Sequence, residues 1–414
     1  MNINRISMNI NEYPNRATTR DCPYNFDTII NRYGTNSMKF DFAAERGKPE
    51  GIVPLWVADM DFPAPPEVLA DIQHAVAHGI FGYTEPKSDY FAAVIEWFSS
   101  RFDYRVQQHE IVLAPGLVFA LAQAIRALTE MNDAVLIQTP VYHPFYSIVQ
   151  ENGRQLVTNS LTYSDGKYSI DFEDFEQKII THKVKLFLLC SPHNPVGRVW
   201  TRHELERMNE LCQRHNVIII SDEIHCDFVW SGHTHTCFGL INDNAIVATA
   251  PSKTFNLAGL QISNMFVKNE DSRKKIIAEI SRSGYSQLGT LGLVSCQSAY
   301  TKGAAWLAGL KTYLEENIRF VREFLTTQLP KIKLIEPQAM YLLWLDFSAY
   351  KLTHTELDRK ITNEANLWLN SGTLFGTEGE GFQRINIASP KPVIAQALRQ
   401  LEGVFGCVGS GIIV

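Results

Sequence analysis

Four residues that can bind ions or donate protons lie in or directly after apolar, strand-like runs of this sequence. Asp222 follows the run VIIIS, Lys253 follows AIVATAPS, and Asn194 comes soon after KLFLLC. Arg384 interrupts the apolar stretch FQRINIA. A carboxylate at the end of a buried strand can pair with a cation, and an arginine that points inwards requires an anion from the protein or from a ligand. The pattern therefore indicates a site that binds charged groups.

Each of these residue types also has a structural explanation that involves no ligand. A lysine after a strand is most often a solvated surface group, and Asp222 can equally cap a helix. Asn194, within SPHNPVG, can be only a turn residue. His225 alone is more often structural than catalytic. His233 and His235 have no carboxylate or cysteine at metal-ligand spacing, so we expect an exposed turn there and no metal site.

Apolar runs alternate with amphipathic helical patterns between about residues 60 and 300. Near-continuous apolar strands separated by helices predict an α/β fold, with a mostly parallel sheet and helices on both faces. Ligands of such sheets bind beyond the carboxyl ends of the strands. Gly116 and Tyr142 also follow predicted strands, so we expect them to converge with Asp222, Asn194 and Lys253 on one crevice.

The pattern changes after about residue 305, where a long predicted helix is followed by two strands and a closing helix. This change predicts a smaller α+β domain beside the large one, joined by residues from near the N-terminus. We expect the following segments: a loose N-terminal segment (1–24), the N-terminal part of the small domain (25–58), the large domain (59–304), the C-terminal part of the small domain (305–406) and a tail (407–414).

The composition is that of an ordinary globular protein and argues against several classes of partner. Of the 414 residues, 45% are hydrophobic and 20% are charged. The net charge of -6 argues against a nucleic-acid or anionic membrane surface. No apolar stretch approaches the roughly 18 residues of a membrane helix, and the N-terminus lacks the apolar core of a secretory signal. The 7 cysteines form no CxxC pair, so we expect reduced thiols in a cytoplasmic protein.

Four motifs occur in order along the chain: SPHNPVG, SDEIH, SKTFNLAGL and FQRINIA. Together they resemble the fold-type I pyridoxal-phosphate enzymes of the aspartate aminotransferase superfamily. The resemblance covers about residues 25–405 and implies the fold of those enzymes, a pyridoxal 5′-phosphate cofactor and an amino-acid substrate. The segments NSMKFDF, PLWVADMDFPAPPEV and FGYTEP are similar to the C–S lyase subgroup, the cystathionine β-lyases of the MalY and PatB type.

The same resemblance implies a role for individual residues. Lys253 would bond covalently to the cofactor, Asp222 would pair with its pyridine nitrogen, and Tyr142 would stack on its ring. Arg384 would bind the α-carboxylate of the substrate. The other implied contacts are Asn194 and His225 near the 3′-oxygen of the cofactor, Gly116, Leu117, Val118, Ser252 and Gln261 around its phosphate, Asn194 and Asp59 on the substrate side, and Tyr83, which would reach the phosphate of the partner subunit in a homodimer.

Two positions depart from the aminotransferase pattern. Gln261 stands where an arginine usually faces the phosphate, and Ala250 stands where a hydroxyl residue is usual. Gln261 and His225 are also similar to the lyase subgroup, which implies cleavage of L-cystathionine or a related cysteine S-conjugate to a thiol, pyruvate and ammonia. Two alternatives stay open: an aminotransferase that uses the same catalytic residues, and a MalY-type role in binding a regulatory partner.

Overall fold

The structure, a computed structural model, describes residues 23–406, so most of the predicted N-terminal segment and the whole tail lie outside the described residues. The strands in this range are β1 (Val53–Pro54), β2 (Ile111–Ala114), β3 (Ala134–Thr139), β4 (Gln155–Ser160), β5 (Thr162–Ser164), β6 (Lys167–Ser169), β7 (Leu186–Cys190), β8 (Ile218–Asp222), β9 (Ile246–Thr249), β10 (Ser263–Phe266), β11 (Lys333–Leu334), β12 (Leu342–Asp346), β13 (Leu367–Trp368), β14 (Asn370–Ser371) and β15 (Phe382–Asn386). The α helices are α1 (Pro66–His78), α2 (Ser88–Phe102), α3 (Leu117–Leu128), α4 (Pro144–Gln150), α5 (Phe172–His182), α6 (Arg202–Arg214), α7 (Pro251–Thr254), α8 (Glu270–Arg282), α9 (Thr290–Lys302), α10 (Ala304–Gln328), α11 (His354–Arg359) and α12 (Lys391–Phe405).

A seven-stranded sheet forms the centre of the molecule, with the strand order β2-β10-β9-β8-β7-β3-β4. The five strands from β9 to β4 are parallel, as the apolar runs predicted. Strand β10 is antiparallel to both β9 and β2, which the sequence pattern did not reveal. Every residue of β3, β7 and β9 is buried, because helices cover the sheet on both sides.

Helices α3, α4 and α8 pack on one face of this sheet, where Leu121, Phe145 and Ile276 belong to one apolar core. Helices α2, α5, α6, α9 and α10 contribute to a second core on the other face, which includes Trp97 and Leu205. The predicted α/β fold with helices on both faces is confirmed. Because the strands from β9 to β4 are parallel, their carboxyl ends lie at one edge of the sheet.

A second, four-stranded antiparallel sheet has the order β11-β12-β15-β14 and contains Arg384 in β15. In this sheet Arg384 lies directly opposite Trp344 on β12 and Asn370 on β14. The buried Asn317 of helix α10 donates to the carbonyl groups of Ile387 and Ser389, at 3.0 Å each, and so ties this helix to the end of β15. The antiparallel pairing agrees with the predicted α+β unit, while its division from residues 59–304 stays a prediction.

Residues 56–60, which we call the bridging segment, connect the two sheets. The Nδ2 group of Asn386, at the end of β15, donates to the carbonyl oxygens of Val57 and Asp59 at 2.6 Å each. On the other side, Asn256 accepts a hydrogen bond from the Met60 amide and donates to the Met60 carbonyl, both at 3.0 Å. The backbone of the bridging segment is therefore fixed by side chains that come from both sheet regions.

An ion cluster anchors the bridging segment to the N-terminal part of the described chain. Lys39, fully buried, lies 2.8 Å from Asp61, and Arg32 lies 2.6 Å from Asp59 and 2.8 Å from Asp61. Ser389 also donates to the Asp61 carboxylate. Buried charges require such partners, which explains why NSMKFDF and WVADMDF each contain charged residues within apolar sequence.

None of the helices in residues 23–406 is both long enough and apolar enough to cross a bilayer. The five cysteines in this range, Cys190, Cys212, Cys226, Cys237 and Cys296, are free thiols and all are buried. Cys22 and Cys407 lie outside the described residues.

Candidate active site

A cavity of about 260 Å³ opens at the carboxyl ends of β7 and β8. The chain reaches it from β2, β3 and β9 as well, through the turns that follow these strands. The convergence expected from the sequence is present in the structure. The predicted residues that line the cavity are Gly116, Leu117, Val118, Tyr142, Asn194, Asp222, His225, Ser252, Lys253 and Gln261.

Asp222 is buried within this cavity, and Lys253 is partly buried there. Burial lowers the pKa of Lys253 to about 8, and the charge of Arg384 acts in the same direction. Burial raises the pKa of Asp222 to about 7, although its Oδ1 accepts a hydrogen bond of 3.1 Å from the amide of Ile224. The Lys253 Nζ donates to the carbonyl of Ala58 at 2.9 Å. The pair therefore supplies an amine that is partly neutral at pH 7 and a carboxyl group suited to a buried cation.

His225 and Tyr142 lie near this pair and are held in their neutral forms. Burial lowers the pKa of His225 well below its ordinary value, and the Nδ1 atom has no hydrogen-bond partner among the described residues. Burial raises the pKa of Tyr142 to about 12, and the nearby Asp222 adds to this effect. The unpartnered His225 nitrogen is a buried polar atom that a ligand can satisfy.

One end of the cavity is built from groups that suit an anion. Helix α3 begins at Leu117, so the amides of its first turn have no partner within the helix and carry the positive end of the helix dipole. Gly116 precedes this helix with a φ of 65°, and a Cβ atom there would lie 2.9 Å from Gln261 Oε1. Gln261 and Ser252 add uncharged polar groups to the cavity lining.

Arg384 approaches the cavity from the second sheet. Its Nη1 donates to Asn194 Oδ1 at 2.9 Å, and its Nη2 donates to Asn370 Oδ1 at 2.6 Å and to the Trp56 carbonyl at 3.0 Å. The guanidinium lies 4.7 Å from the ring centre of Phe375. Burial lowers its pKa to about 10, so the group stays charged at neutral pH. Asn194 thus joins the cavity wall to a buried cation.

Four contacts at the site involve groups that were not foreseen from the sequence. Asn370 lies opposite Arg384 in the sheet, so this contact could be predicted from the sequence only if the strand pairing were known. The fully buried Tyr341 donates to the Ala58 carbonyl at 3.1 Å, the same oxygen that accepts from Lys253. The carbonyls of Trp56 and Ala58 are backbone groups, so no residue type marks them.

Three of the predicted site residues do not line the cavity: Arg384, which contacts the lining residue Asn194, and Tyr83 and Asp59. Tyr83 is 91% exposed, and Asp59 is paired with Arg32 at 2.6 Å. Asp59 nevertheless acts on the site from a distance, since its charge raises the pKa of Lys253 and partly opposes the effect of burial. Asp59 Oδ1 has no hydrogen-bond partner among the described residues.

The expectation of an exposed turn at His233 and His235 is wrong for His235. His233 is exposed, but His235 is buried, and its Nε2 lies 2.8 Å from Glu223 Oε2. Glu223 also accepts hydrogen bonds from the Ser221 hydroxyl and the Phe238 amide, at 2.9 and 2.8 Å. A buried carboxylate requires several donors, and His235 is one of them.

Comparison with known proteins agrees with this geometry. The model of the aminotransferase class I and II family matches residues 50–401. The cystathionine beta-lyase PatB of Bacillus subtilis is 42% identical over 382 residues, which are 91% of this chain and 99% of PatB. The structure of a pyridoxal-phosphate-bound, proposed aminotransferase of Clostridium difficile has a TM-score of 0.90 and 37% identity, covering 92% of this chain and 100% of that one. Cystalysin of Treponema denticola, which contains pyridoxal 5′-phosphate, has a TM-score of 0.88 and 35% identity, covering 92% of this chain and 98% of that one.

The fold and the buried lysine and carboxyl groups define an enzyme of the pyridoxal-phosphate-dependent type. The chain belongs to the aminotransferase class I and II family, because the family model matches more than half of it. The resemblance noted from the motifs is thereby confirmed, including its similarity to the cystathionine β-lyases.

Proposed function

We propose that this chain is a pyridoxal-phosphate-dependent C–S β-lyase. It cleaves L-cystathionine, or a related cysteine S-conjugate, and with water yields a thiol, pyruvate and ammonia. The observation that carries this proposal is the presence of a partly neutral Lys253 and a buried Asp222 in one cavity, in a chain 42% identical to a cystathionine beta-lyase. The same residues fit the cofactor, as the unpartnered nitrogen of His225 indicates.

The cofactor would be held at both of its ends. Lys253 would bond to its aldehyde carbon, and Asp222 would accept a hydrogen bond from its ring nitrogen and be ionised by it. Tyr142 would cover the ring face, while Asn194 and His225 would contact the 3′-oxygen. The phosphate would lie at the start of helix α3, against Gly116, Leu117, Val118, Ser252 and Gln261.

The side chains have distinct tasks in the reaction. When bound, pyridoxal phosphate accepts the electrons released at the substrate Cα. Arg384 binds the substrate α-carboxylate and thereby fixes the direction of the Cα–H bond. The Lys253 Nζ removes the Cα proton, because its pKa of about 8 allows a neutral amine near physiological pH. Thiolate then leaves Cβ and takes up a proton.

An aminotransferase is the second candidate, and the structural similarity to the Clostridium difficile protein favours it. The two reactions share the step at Cα and differ in where the next change occurs. In the lyase, the bond from Cβ to sulfur breaks. In the aminotransferase, that bond would stay intact, Lys253 would carry the proton for the exchange, the amino group would remain with the cofactor, and the substrate would leave as a keto acid. The catalytic residues alone are compatible with both outcomes.

A paired assay on one preparation distinguishes these reactions. We expect L-cystathionine without any keto acid to give pyruvate and free thiol in equal amounts. We expect several amino acids incubated with 2-oxoglutarate to give keto acid more slowly than L-cystathionine gives pyruvate. Strong transamination without thiol or pyruvate from any sulfur substrate would contradict the lyase proposal and favour the aminotransferase.

The pH dependence of cofactor capture tests the state of Lys253. Its pKa of about 8 is depressed, so the reactive neutral amine predominates above this pH and is lost as the pH falls. We expect the rate of covalent capture of pyridoxal phosphate by cofactor-free protein to fall about tenfold per pH unit below 8 and to level off above it. A midpoint near the ordinary lysine pKa of 10.5 would show instead that the amine is solvated.

We further propose a cytoplasmic homodimer with shared active sites. Tyr83 is 91% exposed, and its neighbours Ile80 and Phe81 are 72% and 59% exposed, which is unusual for large apolar side chains. A second copy of the chain would cover them and receive Tyr83 at its phosphate site. The free, buried cysteines support a reducing compartment.

A MalY-type regulatory role would be indicated by a pull-down partner together with the absence of a cofactor absorbance band.

The division into a large domain over 59–304 and a small domain from 25–58 and 305–406 is part of this proposal. The separate seven-stranded and four-stranded sheets support it. Asp59, at the first residue of the large domain, would then act on the substrate side through its charge on Lys253.

A further inference from the structure

The hydrogen bonds of Arg384 show that its carboxylate-binding face is occupied within the protein. A guanidinium has one hydrogen on Nε and two on each Nη atom. Nη2 makes two bonds, to Asn370 Oδ1 at 2.6 Å and to the Trp56 carbonyl at 3.0 Å. Nη1 makes one bond, to Asn194, and the buried Nε makes none among the described residues. Only Nε–H and one Nη1–H are therefore without an acceptor.

These two remaining hydrogens cannot bind one carboxylate with parallel bonds. An arginine offers two such forks, one from Nε with Nη2 and one from Nη1 with Nη2. Both forks require an Nη2 hydrogen, and both Nη2 hydrogens are in use. A substrate that binds through a fork must therefore displace either Asn370 or the Trp56 carbonyl.

We propose that the substrate carboxylate takes over the hydrogen that Arg384 donates to the Trp56 carbonyl, while Asn370 remains bound and positions the guanidinium. Asn370 pairs directly with Arg384 between β14 and β15, and its bond is the shorter of the two. Trp56 lies outside a strand, so its carbonyl can turn away from Arg384 without breaking a sheet ladder, while the Val57 and Asp59 carbonyls stay bound to Asn386. This inference rests on the proposed function of Arg384 as the site of the substrate carboxylate.

Release of the Trp56 carbonyl also affects the backbone next to Lys253. Two residues further along the bridging segment, the Ala58 carbonyl accepts hydrogen bonds from the Lys253 amine and from the Tyr341 hydroxyl. Movement of Trp56 away from Arg384 loosens the backbone that holds this acceptor. In the cofactor-loaded protein, where Lys253 is bonded to the cofactor, Tyr341 remains the side-chain donor to the Ala58 carbonyl.

The Trp56 side chain provides an optical signal for this exchange. Its ring stacks on Trp368 with 4.3 Å between ring centres and 11° between planes. Such a close pair gives a near-ultraviolet circular dichroism signal that depends on the relative placement of the rings. We expect glycine to change this signal in the cofactor-loaded protein and methylamine, which lacks the carboxylate, to leave it unchanged. The Trp368→Phe control should lose the signal and keep its affinity for glycine.

Substitutions of Asn370 test the positioning role separately. Asn370→Leu removes one hydrogen bond to a charged group, so we expect about tenfold weaker glycine binding and unchanged methylamine binding. Asn370→Asp should weaken glycine binding further, because a carboxylate there pairs with Arg384 itself. A purely structural residue would weaken both ligands alike.

An unchanged tryptophan signal at saturating glycine in the unmodified protein would overturn the exchange at Trp56. Equal losses of glycine and methylamine affinity in Asn370→Leu would overturn the positioning role. These readouts measure binding and need no release of thiol. Failure of the lyase proposal would therefore appear in the paired product assay and leave these binding results intact.

Discussion

Lys253→Ala is expected to abolish product release while leaving a protein that still binds pyridoxal phosphate without a covalent bond. The substitution removes both the covalent attachment and the base for the Cα proton. General-base catalysis alone contributes about 10²- to 10⁴-fold, so we expect kcat to fall by at least about 10⁴-fold. The measurement is pyruvate release from L-cystathionine, together with the loss of the absorbance band of the attached cofactor.

Borohydride reduction and peptide mapping supply the control for this prediction. In the unmodified protein the label should lie on Lys253, whose Nζ is buried in the cavity. Lys311→Ala is a suitable matched variant, because Lys311 is also partly buried but lines a different cavity. Labelling of another lysine, or full activity of Lys253→Ala, would show that the site is assigned to the wrong residue.

Arg384→Ala is expected to reduce kcat/KM for every amino-acid substrate. Each hydrogen bond to a charged group contributes about 1.5–3 kcal/mol, and a carboxylate fork has two of them. The loss of both corresponds to a decrease of roughly 10²- to 10⁴-fold in kcat/KM. The side chain is buried, and its hydrogen-bond partners are the amide oxygens of Asn194 and Asn370 and the Trp56 carbonyl.

Arg384→Lys separates the charge from its geometry. A lysine keeps the positive charge but cannot form the planar fork, so we expect only partial recovery relative to alanine. Thermal unfolding of both variants controls for lost packing against Phe375. If Arg384→Ala kept its kcat/KM in folded protein, another cation would have to bind the carboxylate.

The convergence of Asp222, Lys253 and Asn194 could be predicted because it follows from local patterns. Strands β7 and β9 are apolar on both faces, and β8 is buried at all but its first residue, which indicates parallel strands under helices. Parallel strands place the residues that follow them at one edge of the sheet. The reversed direction of β10 could not be predicted in this way, since its residues are equally buried.

The partners of Arg384 could not be predicted, for a different physical reason. Its bond to Asn370 depends on the pairing of β14 with β15, and its bond to Trp56 uses a carbonyl group that every residue possesses. His235 was placed wrongly because its burial depends on Glu223, whose carboxylate needs donors that only the folded chain brings near. Contacts between distant segments carried no local signal in these cases.

The bridging segment has a consequence for the order of events during synthesis of the chain. Its carbonyl groups accept hydrogen bonds from Arg384 and Asn386, which are synthesised much later. The Trp56–Arg384 bond joins residues that are 328 positions apart. At roughly 5–20 residues per second, about 15 to 65 seconds separate the emergence of these two partners. During that interval the start of helix α3 and Lys253 can already be present, but the bridging segment lacks the hydrogen bonds that Arg384 and Asn386 donate to it. A nascent chain therefore contains Lys253, proposed to bind the cofactor, before it contains Arg384, proposed to bind the substrate carboxylate.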